Sequence, residues 1–112
     1  MKRLLLLAAV VASCACAPEK PDTSVPEISI TFVSVSGHDV GLVADIFDAD
    51  GIADITSITC KTTTGGHTGT ASINPNGTAD CDITLPSGSW TIQMTITDKA
   101  GWTATDSDQE NL

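Results

Sequence analysis

From Glu27 onward apolar and polar residues alternate with a period of two, and turn-forming clusters interrupt the pattern roughly every eight to twelve residues. That rhythm predicts short antiparallel strands. Ile28, Ile30 and Phe32 share one face of a first strand, with Ser29 and Thr31 on the other, before Ser36-Gly37-His38-Asp39 turns the chain. A second strand runs from Asp39 to about Phe47 with Val40, Leu42, Ala44 and Ile46 inward, and Asp48-Ala49-Asp50-Gly51 ends it. The third, from about Asp54 to Thr63, has conflicting phases. Ile58 and Cys60 lie on one face and Ile55 on the other, which predicts a bulge or a late strand start.

Thr64-Gly65-Gly66-His67-Thr68-Gly69 reads as a flexible loop, followed by a weak fourth strand, Thr70 to Ile73, and the turn Asn74-Pro75-Asn76-Gly77. A fifth strand spans Thr78 to Leu85. After Pro86-Ser87-Gly88-Ser89 comes the clearest strand, with Trp90, Ile92, Met94 and Ile96 inward and Thr91, Gln93, Thr95 and Thr97 outward. Past Lys99-Ala100-Gly101, a short last strand covers Trp102 to Thr105. The expectation is an all-β fold, an antiparallel sandwich of about seven strands. Composition agrees, because threonine, serine, aspartate, glycine and isoleucine dominate this region while leucine and lysine are scarce. With 112 residues there is room for one such domain and a linker.

The first residues follow a different logic. Lys2 and Arg3 precede an apolar run, Leu4 to Ala12, and the small residues Ala12-Ser13, which is the build of an export signal. A membrane span would need about 20 apolar residues, whereas here the chain turns polar at Ala17-Pro18-Glu19-Lys20-Pro21-Asp22. Val11-Ala12-Ser13-Cys14 resembles the lipobox of bacterial lipoproteins, with Val where Leu is usual. The resemblance implies that Cys14 becomes the acylated first residue, carrying palmitate-type chains. Ser13-Cys14-Ala15-Cys16 offers a poorer competing box, so Cys16 is the alternative acceptor. Ala15 after the cysteine, rather than Asp, resembles outer-membrane sorting by analogy, and the lipoprotein resemblance implies an extracytoplasmic place in the cell envelope. The divisions are therefore a signal peptide at 1–13, a lipidated cysteine and flexible tether at 14–26, a sandwich domain at 27–108 and a tail at 109–112. Two or more acyl chains would anchor the domain stably, since each buried methylene contributes about 0.8 kcal/mol.

Leu85-Pro86-Ser87-Gly88-Ser89-Trp90-Thr91-Ile92-Gln93-Met94-Thr95-Ile96-Thr97-Asp98-Lys99-Ala100-Gly101-Trp102-Thr103-Ala104 resembles the closing segment of bacterial immunoglobulin-like domains, and the turn Asp48-Ala49-Asp50-Gly51-Ile52 is similar to the same group. Punctuation of strands and turns carries the likeness, so it implies a fold and no activity. Counting by twos, Cys60 faces inward from the third strand and Cys81 from the fifth, which predicts a core disulfide; two buried thiols are the alternative. Export to an oxidising compartment permits the bond.

Charge and chemistry narrow the function. The net charge is −9, and loss of Lys2 and Arg3 with the signal leaves only Lys20, Lys61 and Lys99 against fourteen acids. Nucleic acid is thereby an unsuitable partner. Asp48-Ala49-Asp50-Gly51 has the alternating carboxylates of a calcium turn, but Ile52 and Thr59 stand where an EF-hand needs ligands. A looser calcium site would join Asp48 and Asp50, or Asp45, to Asp98, or use Asp106, Asp108 and Glu110, similar to the acidic segments of cadherin-like modules. Aspartate as a plain turn residue is the simpler reading. His38 and His67 lie in separate loops without zinc-ligand spacing, and no nucleophile–base motif occurs, so no catalytic residue and no required cofactor is predicted. Asn76-Gly77-Thr78 forms a sequon that turn chemistry explains. Two functions follow: a lipid-anchored, non-catalytic binding or spacer module, or a calcium-dependent adhesive or structural module using the acidic turns. For the first, Gly66 and His67 in the mobile loop and Trp102 past the last turn are the contact candidates, toward a protein or carbohydrate.

Overall fold

A computed structural model describes residues 25–112, so the expected signal peptide, Cys14 and the tether through residue 24 lie outside the described residues. Seven strands follow one another: β1 (Glu27–Ser36), β2 (Asp39–Phe47), β3 (Ile55–Thr62), β4 (Thr70–Asn74), β5 (Thr78–Thr84), β6 (Ser89–Asp98) and β7 (Thr103–Asn111), with a single 3-10 turn at Ile52–Asp54 before β3. They form two antiparallel sheets, ordered β1-β2-β5-β4 and β3-β6-β7. This is the strand order of the seven-strand immunoglobulin-type sandwich, an architecture shared by many unrelated functions.

The inward residues of β2 and β6 alternate as the pattern predicts: Val40, Leu42, Ala44 and Ile46 meet Ile92, Met94 and Ile96 across the interior, all buried. Cys60 on β3 and Cys81 on β5 form a disulfide. Because β3 and β5 belong to different sheets, the bond ties the two layers through the core. The phase conflict in β3 resolves as a bulge. Pairing shifts between Ile55 and Ser57, so Thr56 is the extra residue and both Ile55 and Ile58 face the core side.

Two expectations are corrected. Phe32 was expected inward with Ile28 and Ile30, yet it is 60% exposed, because pairing with β2 slips after Ile30 and leaves Thr31 unmatched. The slip turns Phe32 toward solvent beside Val43 and brings Val33 onto the core. The last strand was expected to be short, Trp102 to Thr105, with a tail at 109–112. Instead β7 pairs with β6 from Thr103 to Asn111, and Leu112 exchanges two backbone hydrogen bonds with Gly88 and packs on the core.

Strand directions give the domain two poles. Glu27 pairs with Phe47, so the chain arrives beside the β2–β3, β4–β5 and β6–β7 connections, which make the N-terminal pole. The β1–β2, β3–β4 and β5–β6 connections make the opposite pole, where Ser89 pairs with Asn111 and the described chain ends.

Candidate functional site

The candidates from the sequence divide between the poles. At the C-terminal pole the β3–β4 loop is folded back on itself: the Thr62 hydroxyl accepts the His67 N–H (3.2 Å), and the Thr62 N–H donates to the His67 carbonyl (2.9 Å). This sets the His67 ring edge-on to Trp90, with centroids 4.8 Å apart and planes at 87°. The Trp90 indole N–H donates to the Pro86 carbonyl at 2.8 Å, which fixes the ring against the β5–β6 turn. Gly65 fits only because it lacks a side chain. It has φ of 80°, and a Cβ there would stand 2.9 Å from the Trp90 ring. Two imidazoles that the sequence left in separate loops, His38 and His67, line one open groove of about 510 Å³ together with Leu85 and Pro86. Gly66, exposed with φ of 70°, lies at the tip of the same loop.

Trp102 is not part of this face. It is 47% exposed and lies at the N-terminal pole, next to the acidic turns. There the structure gathers three carboxylates, those of Asp48, Asp54 and Asp98, with one oxygen from each within 4.8 Å of the others. Asp48 is 3% exposed and Asp98 is 2% exposed. Each is held by backbone N–H groups through Oδ1: Asp50 donates to Asp48 (2.9 Å), and Ala100 (3.0 Å) and Trp102 (2.9 Å) donate to Asp98. Asp50, expected as a ligand, is instead an exposed turn residue outside the group. Asp54 was missed because it read as the start of β3; the 3-10 turn, followed by the pairing of Ile55 with Asp98, carries it into the group. Its signal in the sequence was the run Asp48, Asp50, Asp54 around one glycine.

Asp106, Asp108 and Glu110 do not join that group. They alternate along β7 as half-buried residues, with the Asp106 carboxylate accepting the Ile30 N–H of β1 at 2.7 Å. The hydrogen bond that the protonated Glu110 carboxyl donates to the Asp108 carboxylate raises Glu110 above its ordinary range, and desolvation and the Asp108 charge act in the same direction. Among the described residues no helix is long and apolar enough to cross a membrane. No protein-family model matches the chain, and no curated protein matches it in sequence.

Proposed function

We propose that the chain is an extracytoplasmic lipoprotein, anchored through Cys14 to a membrane of the cell envelope, whose sandwich is a non-catalytic binding or spacer module. The observation that favours it is the polarity of the domain. The chain comes in at one pole, and the groove between His38 and His67 opens at the other. A tether from a membrane would then present the histidine groove outward. Three connections held by strands build that face, the arrangement in which loops on a rigid scaffold commonly carry recognition. Its lining of Pro86 and two imidazoles over the buried Leu85, backed by Trp90, suits an apolar or aromatic-bearing segment of a protein or a sugar face.

Two measurements test this reading. Cells expressing the full chain are labelled with radioactive palmitate; the label is expected in the wild type and absent from Cys14→Ala, and a label retained by the mutant removes the Cys14 anchor. A photo-crosslinking residue is then placed at Ser87 on the groove or at Ala53 on the opposite pole. Adducts are expected from position 87; adducts from position 53 alone would refute the assignment of the contact face.

A further inference from the structure

We infer that the N-terminal pole is a calcium site formed by Asp48, Asp54 and Asp98. The inference is independent of both the lipid anchor and the contact groove. Three aspartates close together would by themselves mean little, since acidic turns are common. The decisive feature is where their oxygens end. Oδ2 of Asp98 and Oδ2 of Asp48 are buried and accept no hydrogen bond, in side chains 2% and 3% exposed, while the Oδ1 atoms of the same carboxylates are held by backbone N–H groups. A buried carboxylate oxygen without a donor is costly, and such oxygens are almost always satisfied in native proteins. Here two of them belong to a group of three carboxylates whose ligand atoms lie within 4.8 Å of one another. No two of those atoms are farther apart than two calcium–oxygen bonds of about 2.4 Å laid end to end, a separation small enough for the three to close on one shared ion.

The donor set selects the ion. Oxygen-only ligands favour a hard cation over zinc or copper, and no cysteine or histidine belongs to the group. Magnesium keeps most of its waters in a near-ideal octahedron, for which a group with two buried members leaves little room; calcium accepts irregular sets of six to eight oxygens. The ion has a structural consequence. It joins the turn after β2, in the four-stranded sheet, to the last residue of β6, in the three-stranded sheet, with Asp54 contributing from the turn before β3. The Lys99 N–H already donates to the Asp54 carbonyl at 2.9 Å, so the cation reinforces a junction that the backbone begins. This junction lies beside Phe47, where β1 enters, and calcium would therefore stiffen the pole from which the tether leaves.

Trp102 supplies the readout: its backbone N–H is bonded to the Asp98 carboxylate, so the indole is attached within one side chain's reach of the group and can serve as the donor for terbium, a luminescent substitute for calcium. The purified full chain, stripped with a chelator, is titrated with terbium and then with calcium. Saturable emission that calcium displaces is expected, together with a thermal midpoint raised by roughly 5–10 °C at about 5 mM calcium, as for a site of extracellular-module affinity. Asp98→Asn should weaken terbium binding at least tenfold. Asp54→Asn, at a less buried position, gives the same test should the first variant fail to fold, and Asp108→Asn on β7 should leave binding unchanged. A folded wild type whose midpoint ignores calcium and which shows no displaceable emission would overturn the inference. So would emission that survives in Asp54→Asn and disappears in Asp108→Asn.

Discussion

The disulfide offers the most quantitative test of how this small domain is stabilised. Cys60 and Cys81 are separated by 21 positions in sequence and join the two sheets inside the core. In the chain-entropy description, a closed loop of that length removes about 11 cal/mol/K from the unfolded ensemble, or about 3 kcal/mol at 25 °C. Alanine at both positions also deletes two buried sulfurs, at 3% and 1% exposure, and the resulting void should cost about 1–2 kcal/mol more. The two contributions can be separated by urea unfolding of three species: oxidised wild type, the same chain with both thiols reduced and blocked from reoxidation by reductant, and Cys60→Ala/Cys81→Ala. Reduction should lower the unfolding free energy by about 3 kcal/mol and the double variant by about 4–5 kcal/mol, with a steeper denaturant dependence in both because an unlinked chain exposes more surface. For a domain of this size the thermal midpoint should fall by roughly 15–25 °C on reduction. Reduced and oxidised wild type of equal stability, or a double variant that loses less than about 1 kcal/mol, would refute the reasoning.

Other packing details predict smaller effects. A Cβ at Gly69 would meet the Asp82 carbonyl at 2.6 Å and the Cys81 sulfur at 3.1 Å, so Gly69→Ala should cost about 1–3 kcal/mol in urea unfolding; an unchanged midpoint would show that the β3–β4 loop does not press on the disulfide. Asp106→Ala leaves the part-buried Ile30 N–H without its acceptor and should cost about 1–2 kcal/mol, with faster hydrogen exchange at Ile30, while Asp106→Asn should retain most of the stability. Glu110 has a folded-state pKa above its ordinary value, so its protonated form is favoured by folding. Stability from this group is therefore complete below the ordinary carboxylate range and declines as pH rises through the raised value. Glu110→Gln should flatten that decline and, at this solvent-screened position, raise the midpoint at pH 7 only slightly; a lower midpoint would contradict the sign.

The parts of the fold legible in the sequence are those where one face is apolar and the other polar. β2 and β6 have only one phase that buries their aliphatic residues, and the inward placement of both cysteines follows from the same count. The bulge in β3 was visible because Ile55 and Ile58 cannot share a face without one. The bulge in β1 was not, since Phe32 and Val33 are both apolar and either phase buries one of them. Position 32 is settled by pairing with β2, a long-range fact. The acidic group was half legible for the same reason: Asp48 and Asp98 could be named from their turns, but Asp54 reaches them only through the register of β3 on β6. His38 and His67 likewise share a groove because three connections end at one pole, which spacing along the chain does not encode.

β7 is the instructive miss, and its chemistry explains both the miss and its role. Its inward positions after Ala104 are Asp106, Asp108 and Glu110, so no apolar alternation marks it as a strand. It is nevertheless held along its length by β6 and finished by the paired backbone of Gly88 and Leu112. As an edge of the three-stranded sheet, β7 offers free backbone groups to any other strand. A second copy docking there would have to bury the same carboxylates against its own, without counter-charge. Carboxylates on the inward side of an edge strand oppose such pairing, and Asp106 adds a specific bond by accepting the Ile30 N–H, which closes the gap between the two sheets on this side. The arrangement sets Asp108 and Glu110 close enough for each charge to oppose the other, and leaves a sheet edge that resists unintended pairing.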